Sequence, residues 1–271
     1  MHSFKTSFSV LKISFKEALA YRMSMMFSLV SFPILLLVQY FIWTAIFNAT
    51  GSNVIAGFTL EQMIGYYVIG FITLVLIWTP VADDLHEGVR EGSFIKFLTK
   101  PMGYIYYSFL ASVGGRFLAL LIEFIPLLFI MGFLIGKEFV MTSNLMLYLI
   151  TVMFAFVINY QLTLIIGCLI FFLTNPNGVT WVYRIIRYVL AGGLIPITFF
   201  PEIFQKIIIM TPFPFINFIP ASIFVGNTSF SIIELNTLNV ALIGLLQISI
   251  LSIIILLIWK ISLKRFQGVG A

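Results

Sequence analysis

Charge is what this chain of 271 residues has least of: Asp, Glu, Lys and Arg make up 9% of it, against 61% hydrophobic residues. Soluble domains carry about a quarter of their residues charged, so an ordinary water-soluble fold is excluded. Cys168 is the one cysteine, which leaves no internal disulfide and no cysteine metal cluster. His2 and His86 are the only histidines, too few for a transition-metal enzyme. No GxxxxGK(S/T) loop is present to cradle nucleotide phosphates, and no GxSxG or HExxH motif supplies a nucleophile or a metal. The chain therefore has no means of its own to hydrolyse ATP, and it reads as a non-enzyme. The net charge of +5 does not indicate nucleic acid, because the basic residues lie beside apolar runs, where they orient spans and meet anionic headgroups.

What the sequence has in abundance is apolar runs of membrane length, and they predict an all-α polytopic membrane protein, one domain over residues 1–271, with six transmembrane helices. Residues 1–22 alternate Lys5, Lys12, Lys16 and Arg22 with Phe4, Phe8, Leu11 and Phe15, the pattern of an N-terminal amphipathic helix lying in the interface. Spans are expected at 24–47, 62–82, 117–136, within 145–173, from Val179 to about Phe200, and at 238–259. Between the fifth and sixth, residues 201–226 are apolar but broken by Pro201, Pro212, Pro214 and Pro220. They read as a re-entrant pair of half-length helices in the outer leaflet. Of the 15 Lys and Arg, only Lys137 and Lys206 then fall outside, so both termini are expected in the cytoplasm. The two halves share neither charge pattern nor loop lengths, which argues against an inverted-repeat secondary transporter.

Residues 83–101 form the one dense polar stretch, with seven of 19 residues charged. Ser93 can cap a short helix to Thr99 whose Phe94, Phe97 and Leu98 share a face, and Pro101 ends it. Such a helix between two spans reads either as a cytoplasmic docking surface or as a solvated loop whose charges fix topology. Glu123 is the one carboxylate expected inside the hydrocarbon, where an ionised group costs about 2.5 to 3.5 kcal/mol unless paired. Its candidate partners are Arg116, at the inner boundary of span three, and Arg184 or Arg187, in the first turns of span five. An ion pair that fixes packing and a place in the substrate path are both compatible with it. Asn159 and Gln161 point to different sides of span four and are suited to hydrogen bonds between helices.

The segment EGVREGSFIKFLTKPMGY, from Glu87 to Tyr104, together with the basic N-terminal helix, the six spans and the Pro-rich pair, resembles the ABC type-2 permease family. These are the membrane subunits of bacterial ATP-driven exporters, and the likeness is to their uncharacterised export-permease branch. The resemblance implies a coupling helix near 93–99 seated in a groove of a separate ATPase subunit, with Glu87, Arg90, Glu91, Phe94, Phe97 and Leu98 as coupling residues. It also implies an N-terminal helix beside that one and a pathway formed by two permease chains, identical or related. The hairpin would cap the pathway's outer end, in the bacterial cytoplasmic membrane. ATP and Mg would sit on the partner ATPase, with no cofactor on this chain. The alternative, a secondary transporter or channel, calls for more paired ionisable groups at mid-membrane.

Overall fold

In a hydrocarbon solvent every backbone N–H and C=O must find a partner within the chain, and the apolar runs meet that demand as helices. A computed structural model describes residues 4–20, 22–99, 102–120, 145–173, 175–227, 229–230 and 233–266, together with positions 125, 126 and 129. Most of the expected third span lies outside the described residues, and with it Glu123 and Lys137.

Among the described residues eleven α-helices follow in chain order. The N-terminal half holds α1 (Phe4–Ala20), α2 (Arg22–Thr50), α3 (Leu60–Ile77), α4 (Val81–Arg90), α5 (Ile95–Thr99) and α6 (Tyr104–Ala119). The remainder holds α7 (Leu145–Gly167), α8 (Asn177–Leu190), α9 (Glu202–Ile209), α10 (Phe218–Phe224) and α11 (Thr237–Arg265). One short antiparallel pairing, Ser229–Phe230 with Ile233–Glu234, precedes α11.

Among the described residues, four stretches are long and apolar enough to cross a membrane: Val30–Thr50, Leu60–Arg90, Leu145–Phe171 and Thr237–Arg265. The second of these is two helices, because Pro80 interrupts it and the charged α4 lies beyond its apolar part. Helix α3 opens with a capping box: the Gln62 N–H donates to Thr59 Oγ1 at 3.2 Å and the Thr59 N–H to Gln62 Oε1 at 3.0 Å.

The expected fifth span is not one helix. Helix α8 has 14 residues, about 21 Å at 1.5 Å per residue and short of the roughly 30 Å hydrocarbon core. It stops where Gly192 takes φ +75°, a conformation that favours glycine, and Pro196 follows. Residues 201–226 do break into short helices as their prolines require: α9, a 3-10 turn at Phe213–Ile216, and α10, which is buried along its whole length.

The main core gathers α3, α7, α10 and the 3-10 turn, with Trp43, Phe47 and Leu36 of α2 joining from one side. A second cluster forms where α4, α5, the start of α6 and the ends of α7 and α11 meet. Helix α1 lies against α6, with Phe15 and Phe117 ring to ring at 6.3 Å and the Ser7 and Tyr106 hydroxyls 3.1 Å apart.

Candidate coupling site at the charged end

The charged stretch is mostly helix, in its first half rather than its second. Helix α4 starts after Pro80 and carries Asp83 and Asp84 in its first turn, where carboxylates complement the helix dipole, and Arg90 in its last. Val81, Ala82, Leu85 and His86 form its buried face, packed on the end of α7, while Asp83, Asp84, Glu87 and Arg90 point outward. Desolvation, and then the neighbouring carboxylates of Asp83, Glu87 and Glu17, push the Asp84 carboxyl up to about 6.

Gly92, at φ +74°, turns the chain, and the Phe94 N–H donates back to the Gly88 carbonyl at 2.9 Å. The expectation that Ser93 caps the second helix is corrected. Its hydroxyl donates to the Gly88 carbonyl at 3.4 Å, and α5 begins only at Ile95.

Phe94 was expected to insert into a partner; it is seated in this chain instead. It is 1% exposed, with the rings of Phe266, Tyr104, Phe171 and Trp259 at 5.2, 5.5, 5.5 and 6.1 Å. Tyr104 and Trp259 stack on one another at 5.6 Å, and Phe97 closes the group from the side, 4.8 Å from Tyr107. Filling this cage is worth about 1.5 to 3 kcal/mol for Phe94 alone. An aromatic ring so enclosed has no surface left for another protein. Leu98, by contrast, is 52% exposed and Ile95 42%, and Glu91 and Lys96 are exposed beside them. The cage therefore holds the segment in place, and the outward face consists of Glu87, Arg90, Glu91, Ile95, Lys96 and Leu98.

Four of the polar residues singled out for the membrane region, Arg116, Asn159, Arg184 and Arg187, converge next to this segment, at the end of α3. There the last carbonyls of a helix need donors because the chain cannot continue helically into Pro80. Arg116 of α6 donates to the Val75 carbonyl at 3.0 Å and lies over the Trp78 ring at 4.8 Å. Asn159 of α7, fully buried, donates to the Ile77 carbonyl at 2.7 Å and accepts from Arg187 of α8 at 2.6 Å. One turn earlier on α8, Arg184 meets Asp83 of α4, donating to both carboxylate oxygens at 2.9 Å. Among the described residues Arg184 and Arg187 are bound to Asp83 and Asn159; the Glu123 named as their expected partner is not among those residues. Gln161 faces the other way, as its offset from Asn159 requires, and donates to the Ser252 hydroxyl at 2.8 Å and the Ile248 carbonyl at 3.2 Å on α11. Glu123 lies outside the described residues.

Sequence reasoning missed Asp83 as a partner and missed the cage residues Tyr104, Phe171, Trp259 and Phe266. A signal for the second group was present: Trp259 and Phe266 flank the basic end of the last span, where aromatic residues settle at an interface. No local pattern pointed to Asp83, since Arg184 follows it by 101 residues.

Among known proteins, no curated protein and no solved structure matches the chain. A sequence model of the family described as ABC-2 family transporter protein matches residues 33–270, nearly the whole length and every element of the site. The chain belongs to the ABC-2 family of transporter proteins.

Proposed function

We propose that this protein is the permease subunit of an ABC exporter in a bacterial cytoplasmic membrane, driven by a separate ATPase subunit that carries ATP and Mg and lining its pathway with a second permease chain. The family supports a transport role for a membrane subunit and partnership with ABC ATPases. One observation carries the docking reading: α4 and α5 present Glu87, Arg90, Glu91, Lys96, Ile95 and Leu98 outward from a segment fixed by Phe94. A merely solvated loop would have no need of a five-ring cage. The mixture of both charge signs around two exposed apolar side chains suits a protein groove, with an apolar centre and a polar rim. The basic end of α11, with Lys264 and Arg265, and Arg184 of α8 lie beside the same segment, which favours the cytoplasm for this end and for both termini. Residues 201–226, at the other end, would close the pathway on the outside.

The test is purification of the chain in mild detergent after co-expression with the ABC ATPase encoded for the same transporter, followed by assay of ATP hydrolysis. A stoichiometric complex that hydrolyses ATP faster than the ATPase alone is the expected result. A permease that purifies without any ABC ATPase would instead favour a secondary transporter or channel.

A further inference from the structure

We infer that Asp83, Arg184, Arg187 and Asn159 form a polar linkage that carries movement of the docking helix α4 into the membrane helices α8, α7 and α3. The inference rests on the proposed function, since it takes α4 to be the element an ATPase moves.

Three observations lead to it. Asp83 stands on the outward side of α4, and the bidentate contact with Arg184 at 2.9 Å ties that helix to α8 across 101 residues of sequence. Both side chains are about half exposed, at 56% for Asp83 and 50% for Arg184. A pair so hydrated contributes at most about 1 kcal/mol to stability, so folding alone gives little reason for it. Arg187, three residues on and on the same side of α8, is bound to Asn159, and Asn159 is bound to the Ile77 carbonyl. Ile77 is the last residue of α3, directly ahead of the break that leads into α4. The route therefore leaves α4 by a side chain and returns, through α8 and α7, to the helix from which α4 departs.

The way α8 is held completes the argument. Five of its apolar residues, Val179, Trp181, Val182, Ile185 and Ile186, are exposed on this chain, while Tyr183 and Leu190 pack against the main core and Arg184 and Arg187 turn toward it. Apolar packing thus holds α8 along one narrow side only, and the directional contacts of Arg184 and Arg187 add to it. Such contacts have discrete alternatives and can be exchanged without opening a core, which is what a transmitting element requires and a packing element does not.

The test uses the full permease with its ABC ATPase and compares Asp83→Asn, Arg184→Gln and the charge-swapped double variant Asp83→Arg with Arg184→Asp. Three quantities are read: ATPase co-purification, thermal midpoint of the permease, and ATP hydrolysis of the complex relative to the ATPase alone. Both single variants should keep the ATPase and the midpoint while losing the permease-dependent stimulation by at least about fivefold, the low end of coupling between distant sites. The swapped pair should recover most of it. Wild-type stimulation in the single variants, or a swapped pair no better than they are, would overturn the linkage. So would loss of the ATPase or of thermal stability, which would make the pair a docking contact or a structural one. A wild-type permease that retains no ABC ATPase would bring down the underlying reading, and the failures remain distinguishable.

Discussion

Both ends of the molecule break membrane helices into short pieces with proline and glycine, yet they use the pieces in opposite ways. At the charged end, α4 and α5 bury one face and leave the other to solvent, with Phe94 at 1% exposure and Leu98 at 52% only four residues apart. At the opposite end α10 is buried on every side, between α3 and α7, without a charged residue in it. Side-chain hydrogen bonds fix the strand of chain leading there: Tyr66 donates to the Gly192 carbonyl at 2.6 Å and Tyr67 to the Leu194 carbonyl at 2.9 Å. Irregular backbone at membrane depth persists only when protein covers it, and the second end follows that rule. The first follows it halfway, and the uncovered half is where another protein has room to bind.

The largest effect should come from asking whether the two ends are equally well anchored. Phe94→Ala and Phe218→Ala each empty a ring-sized space in a packed cluster, and each should lower stability by about 3 to 5 kcal/mol in detergent unfolding. A Phe94 variant that unfolded like the wild type would show that the charged end is a loose appendage, and the comparison would collapse.

Within α7, two polar residues sharpen it further. Asn159→Leu leaves Arg187 and a helix-terminal carbonyl short of a partner and should cost about 1 to 3 kcal/mol. Gln161→Leu removes an ordinary interhelical contact to α11 and should cost about 0.6 to 1.7 kcal/mol. Equal losses in thermal denaturation would mean that the crossing beside α4 is no different from any other contact between helices.

Charge reversal on the outward face, Glu87→Lys or Arg90→Glu, should change stability by less than about 0.5 kcal/mol. Its signature is kinetic: a slower association with the ATPase and an altered salt dependence, measured by surface-immobilised binding.

A pH-dependent effect concerns Asp84. Its carboxyl is raised from 3.8 to about 6, so the folded state holds an extra proton between those values. The associated stability is fully present below pH 3.8 and is lost as pH rises through about 6. Asp84→Asn should flatten that part of the stability profile, and an unchanged slope would show that Asp84 does not titrate there.

Much of this could be seen in the residues before any coordinates. Uninterrupted apolar length predicted α2, α3, α7 and α11, and the prolines of 201–226 predicted short helices. The fifth span misled because apolar length from Val179 to about Phe200, with Arg184 and Arg187 in its first turns, ignores the turn at Gly192, which a hydropathy window tolerates and a helix does not. Phe94 misled for a related reason. A spacing of three and four says which side chains share a face, but not whether that face meets the chain itself or a partner. The two arginines of α8 were singled out only as candidate partners of Glu123. Their partners lie 28 and 101 residues away, where nothing in local sequence could identify them.

The central claim is that Phe94 anchors the segment and its neighbours on the outward face meet the ATPase. Site-specific photo-crosslinking tests it most directly, with a photoreactive residue placed in turn at Arg90, Leu98 and, at the opposite end, Ile203 of α9. The account predicts covalent adducts with an ABC ATPase, identified by mass, from Arg90 and Leu98 and none from Ile203. An intact complex that yields no adduct from Arg90 or Leu98, or yields one from Ile203, would contradict it.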